Sequence, residues 1–281
     1  MNLLVDAIAA TAFAVSGALL GYWFSRLPKS YWMLGYFIPL ALILTYGVTI
    51  HYPVLSFTSP ILWITMGLKK FAMVGFIVAM ILMSLIPRLP RKRDRVALVV
   101  LLIAAIFGLT TWPFLAPAFN RNELAHLSTH INSDGICRQS TDYTCGPAAA
   151  VTALHKLGFP AEEGQIAILS YTSSETGTPP DILAEALQDY YGKDGLIVEY
   201  RPFKSVLELK QAGLTLAVTK FTFMVDHYVT VLGVTNSEVI VGDPLSGLKR
   251  IPYDDFRREW RFVGIVLKRR PQTGFYHSKP K

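Results

Sequence analysis

Residues 137–149 read CRQSTDYTCGPAA, and both cysteines of the 281-residue chain fall inside this stretch. Cys145 is followed at once by Gly146, Pro147 and a run of alanines. Proline suits the first turn of a helix, where the N–H it lacks would have no partner anyway. The spacing therefore predicts a helix that starts at Cys145 and is closed by Gly158. A thiol at a helix start sits in the partial positive charge of unpaired N–H groups, which favours its thiolate. Gly146 is expected to let a substrate backbone come close, and the alanines at 148–150 to keep the buried face slim.

A thiol placed in this way needs a base, and the base needs a group that fixes its tautomer. His227 lies in DHYVTVLGV, which alternates like a strand, and Asp243 ends the following run SEVIVGDP. Thr235-Asn236 joins the two runs as a hairpin, which would bring Asp243 to His227. Gln139, six positions before Cys145, can offer a side-chain N–H to a developing oxyanion.

Taken together, Gln139, Cys145-Gly146-Pro147, Asp226-His227-Tyr228-Val229 and Gly242-Asp243-Pro244 with Gly247 resemble peptidase family C39. These are papain-like cysteine peptidases, best known as the leader-processing domains of bacteriocin exporters. The resemblance covers roughly residues 130–268. It implies Cys145 as nucleophile, His227 as general base, Asp243 as its orienter, Gln139 as oxyanion donor, and an aromatic cluster around Phe256 and Trp260. Two features depart from the family pattern. Thr144 stands where many members have Asp. No GxxxxGK[ST] phosphate loop is present, so no ATPase domain accompanies the site.

The rest of the chain says where this domain sits. Hydrophobic residues make up 52% of the sequence and charged residues only 17%, a balance that points to lipid. Residues 1–117 read as a transmembrane region with spans near 3–24, 31–50, 71–86 and 96–117. The short apolar run 54–68, which stops at Lys69-Lys70, reads as an interfacial piece. Residues 118–281 read as the peptidase domain. Helices come first and an antiparallel sheet second, so the fold class is an α-helical membrane region followed by an α+β papain-like domain. Thr178 is expected to cap the helix in GTPPDILAEALQDYYG.

All of the net charge of +7 resides in the apolar part, between spans, where basic residues act as topology signals. Nucleic acid is therefore not an expected partner. Arg26 and Lys29 follow the first span, and RLPRKRDR follows the third. Placing both loops in the cytoplasm leaves the peptidase domain on the non-cytoplasmic face of a bacterial inner or plasma membrane. The expected partners are a peptide or protein substrate, the bilayer and a membrane-protein partner, with no cofactor. The basic tail KRRPQTGFYHSKPK is read as solvated.

Two other readings compete. His126 and His130, at i and i+4, could join Cys137 and Cys145 in a zinc site. A catalytically inactive C39-like module could instead bind peptide beside the membrane.

Overall fold

The computed structural model describes residues 3–58, 61, 67–222 and 225–271. The expected interfacial piece and the basic tail lie partly outside these residues.

The N-terminal part is a bundle of apolar helices: α1 (Leu3–Ser25), α2 (Leu34–His51), α3 (Lys69–Leu85) and α4 (Lys92–Ala125). Three helical stretches, Leu3–Ser25, Lys69–Arg88 and Lys92–Ala125, are long and apolar enough to cross a membrane, while the apolar stretch Leu34–Thr49 is shorter. The last helix passes through a π-helical turn at Phe107–Thr111 and continues to Ala125.

Small residues set the packing. Along α1, Ala7, Ala10, Ala14, Gly17 and Gly21 are all buried, at helical spacing. A Cβ on Gly17 would lie 2.5 Å from Phe76 O, and one on Gly21 would lie 2.3 Å from Met80 O. In lipid, where apolar surface gives helices no reason to associate, such close backbone approach is a main source of attraction. Gly21→Ala must push α1 off α3, because a carbonyl cannot yield as a side-chain tip can. The expected cost is about 1–3 kcal/mol, read as a lower midpoint for thermal unfolding in detergent.

Polar contacts give the bundle two distinct ends. At one end Ser84 donates to Gly21 O (3.2 Å) and Tyr36 donates to Ser84 O (3.3 Å). These bonds tie the end of α1, the start of α2 and the end of α3 together. At the other end Ala7, Ala10, Leu68 and Phe114 form a buried cluster with Ile182 of the following domain.

That domain is α+β. After a small β1–β2 ladder (His130–Ile131 and Cys137–Arg138) come helices α5 (Cys145–Lys156), α6 (Glu163–Leu169) and α7 (Pro180–Tyr191). A six-stranded antiparallel sheet follows, in the order β3-β8-β4-β5-β6-β7. Its strands are β3 (Leu196–Pro202), β4 (Leu214–Thr222), β5 (Val225–Val234), β6 (Glu238–Asp243), β7 (Gly247–Pro252) and β8 (Trp260–Arg269). Two short helices, α8 (Val206–Ala212) and α9 (Tyr253–Glu259), cover the sheet on its second side.

Helix α5 is buried along most of its length, with the alanines at 148–150 fully covered. It packs against the sheet, and Thr230 of β5 donates to Ala149 O (2.8 Å). Gly158 takes φ +78, the left-handed conformation that ends a helix. The second sheet face holds Phe203, Phe256 and Trp260, whose rings pack at 5.3 and 5.5 Å.

Candidate active site

Cys145 opens α5 and is partly exposed. His227 and Asp243 come from neighbouring strands of the β5–β6 hairpin, and both are more than nine-tenths buried. His227 Nε2 and Asp243 Oδ1 are 2.8 Å apart. The Cys145 side chain is close enough to His227 to act on its ring. With Nε2 taken by the carboxylate, the other ring nitrogen, Nδ1, is the one left for sulfur.

Asp243 is held from several sides. Its Oδ1 also accepts from Leu245 N–H (2.9 Å), and its Oδ2 accepts from Lys249 Nζ (2.9 Å) and from the Ser246 hydroxyl. Burial alone would raise its pKa, but the bonds from His227, Ser246 and Lys249 hold it well below the usual carboxylate range. The imidazole responds in kind. Burial pulls it down, but the bonds to Asp243 and Cys145 outweigh this and raise it from 6.5 to about 9. At neutral pH His227 therefore holds its second proton as an imidazolium between the Asp243 carboxylate and the Cys145 side chain.

This shift has a readable consequence. The folded imidazole holds its proton more tightly than an unfolded one, so its contribution to stability is complete below about pH 6.5. That contribution is lost as the pH rises to about 9. The thermal midpoint of the wild type should exceed that of His227→Gln at pH 6, and the gap should shrink across this window. A gap that is constant or widens with pH would contradict the ion-pair geometry.

Gln139 lies beside the same hairpin. Its backbone N–H donates to Pro244 O (3.2 Å), and its Nε2 donates to Thr141 O (2.7 Å). Its Oε1 is buried without a partner among the described residues. Residues 134–272 match the Peptidase C39 family.

Over 145 residues the chain is 28% identical to an uncharacterized protein of Methanothermobacter marburgensis, covering 52% of this chain and 94% of that protein. Among solved structures it is similar to a double glycine motif protease from an AMS/PCAT transporter in complex with the leader peptide. That match has 18% identity and a TM-score of 0.42, over 51% of this chain and 95% of the other. It is also similar to the peptidase domain of Streptococcus ComA, a bi-functional ABC transporter involved in a quorum sensing pathway. There the identity is 23% and the TM-score 0.41, over 47% and 96% of the two chains.

Several expectations are corrected inside the matched residues. Gly146 does not open space for a substrate. A Cβ there would meet Thr178 Cβ at 3.0 Å and Tyr228 Cε2 at 3.3 Å, so the glycine makes room for the domain's own β5 and the start of α7. Thr178 does not cap α7. Pro179 stands at the N-cap, while the Thr178 carbonyl accepts from Tyr228 Oη (2.8 Å) and its hydroxyl pairs with Thr172 (2.8 Å). Thr144, where many family members have Asp, accepts at its Oγ1 from Thr141 N–H (3.2 Å) and closes the loop before Cys145.

The zinc arrangement does not assemble. Helix α4 stops at Ala125, so His126 and His130 do not share a helical face; His130 lies on β1, and both histidines are exposed and bonded to nearby carbonyls. Cys137 is fully buried, and burial first, with the Glu163 charge second, pushes its thiol up to about 12. Among the described residues no group of three His, Cys, Asp or Glu could hold a metal ion. Both cysteines carry free thiols.

Sequence reading passed over three supporting residues. Ser246 and Lys249 follow Asp243 by three and six positions, and the tight turn at Pro244–Gly247 was the signal that would fold them back onto it. Glu163 is fully buried and accepts from Ser140 N–H (2.8 Å) and Ser140 Oγ (2.7 Å), which fixes the residue next to Gln139. Nothing in its local sequence distinguishes it from an ordinary acid in the first turn of a helix.

Proposed function

We propose that the chain is a membrane-anchored cysteine peptidase that hydrolyses peptide bonds with Cys145, His227 and Asp243. The observation that carries this reading is the 2.8 Å bond between His227 and Asp243, with the Cys145 side chain beside the same imidazole at a helix start. Cys145 Sγ, whose proton His227 Nδ1 already holds, attacks the carbonyl carbon. The proton on His227 Nδ1 passes to the departing amine, which leaves a thioester on sulfur. His227 then takes a proton from water, and the resulting hydroxide releases the acid product. Asp243 keeps Nε2 protonated and the ring oriented throughout. A side-chain amide has two N–H donors. Thr141 uses one of those on Gln139, and the second serves the oxyanion.

The test is to incubate the purified full-length protein with a peptide mixture derived from a proteome and to read new termini by mass spectrometry. The reading expects new termini that vanish after iodoacetamide treatment. New termini that survive it, or none at all, would contradict the reading. Turnover should also decline above about pH 9 as the imidazolium is lost.

The bundle suggests the side on which this chemistry occurs. Residues 26–29 and 88–95 lie at the end of the bundle fixed by Ser84, opposite the end that Ile182 touches. If the basic loops are cytoplasmic, the C39 domain is outside. An alkaline phosphatase fused after Lys281 should then be active, and an inactive phosphatase paired with a bright fluorescent fusion would place the domain inside.

A further inference from the structure

The candidate site is set against the mouth of the helix bundle, not raised above it on a stalk. A Cβ on Gly146, next to the nucleophile, would stand 3.0 Å from Thr178 Cβ. Three residues after Thr178, Asp181 Oδ2 lies 3.1 Å from where a Cβ on Gly67 would be, and Ile182 is buried with Leu68, Ala7 and Phe114. Gly67 and Leu68 lead directly into α3. The start of α3 therefore approaches the helical wall of the site.

Consecutive Cα atoms are 3.8 Å apart, so residues 178–181 reach at most about 11 Å. With one packing contact at each end, the start of α5 stands within roughly 20 Å of the start of α3. Helix α3 has 17 residues. With the turn that continues it to Arg88 the helical stretch has 20 residues, about 30 Å at 1.5 Å per residue, which matches a hydrocarbon core of about 30 Å and puts its ends at the bilayer boundary.

The rim of the site has a matching character. The Phe221 ring lies 5.7 Å from the His227 ring and is 59% exposed; Val225, two residues before His227, is 50% exposed. Leu245, whose N–H binds Asp243, is 39% exposed. Apolar side chains left open around a reactive pair suit an apolar or lipid-borne substrate better than a freely dissolved one.

We propose that the substrate is a polypeptide anchored in the same bilayer and cut close to the membrane surface, within about six extended residues of it. This rests on the peptidase reading above. The bond broken is an amide; water supplies a hydroxyl to the acyl fragment and a proton to the amine, so no further reactant is needed. One product stays in the membrane and the other is released.

The test uses the full chain in proteoliposomes and palmitoylated peptides that end in a chloroacetamide. Their Gly-Ser spacers have 2, 6, 12 or 24 residues, and adducts on Cys145 are read by mass spectrometry. A spacer of about 6 to 12 residues has a mean reach of roughly 14 to 20 Å, so the labelling rate should peak there, tenfold or more above the same peptide without its lipid. A rate that keeps rising to 24 residues, or that is equal with and without the lipid, overturns the proposal. Free iodoacetamide separates this failure from failure of the peptidase reading. If it modifies Cys145 no faster in the wild type than in His227→Gln, the activated thiol is absent, and both the reading and the proposal fail.

Discussion

Cys145→Ala is expected to abolish turnover while leaving the domain folded. Cys145 is partly exposed at the first residue of α5, and the helix beyond it is held by Thr230 and by buried alanines that the substitution does not touch. Alanine is the best helix former, so the helix start does not suffer. The covalent route disappears entirely, and the rate should fall by several orders of magnitude, to what binding and the oxyanion donor alone provide. The thermal midpoint should change little. Substantial turnover by the variant would remove Cys145 from the nucleophile role. A large fall in midpoint would make it a core residue instead.

Asp243→Asn is the second large effect. The carboxylate accepts four bonds, from His227, Leu245, Ser246 and Lys249. An asparagine amide can replace only some of them, and facing His227 with its NH₂ would favour the wrong imidazole tautomer. The same exchange at the orienting acid of a serine protease costs about 10⁴ in rate. A loss of about 10²–10⁴ is expected here, accompanied by a shift of the alkaline limit below pH 9. Lys249 would then lack its carboxylate partner and swing into solvent, since it is already half exposed. Near-normal turnover with an unchanged pH profile would reduce Asp243 to a turn residue.

What could be read from the sequence depended on how local the signal was. The helix beginning at Cys145 follows from a proline and a run of alanines, and the β5–β6 hairpin follows from alternation broken by a turn pair. Each is a matter of a few adjacent residues. Gly146 was misjudged because a sequence cannot say which way an absent Cβ points; the neighbours it spares, Thr178 and Tyr228, are distant in the chain. The zinc alternative for the histidine pair falls away because i and i+4 share a face only while the helix lasts, and α4 ends at Ala125. In α1 the small residues stood in plain view, Gly17 and Gly21 among them. Read only for hydropathy, they looked like one more apolar span and not like the seam against α3. The contact between α7 and the bundle mouth had no local signal, because it joins residues far apart in the chain, Ile182 with Phe114, Leu68 and Ala7.

The most direct measurement is to trap the intermediate. The full-length protein is mixed with a peptide it cleaves, quenched in acid during turnover, and analysed by intact and peptide-level mass spectrometry. The mechanism predicts an added mass equal to the N-terminal fragment of the substrate, located on Cys145 and removed by hydroxylamine, as a thioester requires. A product burst with no adduct, or an adduct on any residue other than Cys145, would contradict it.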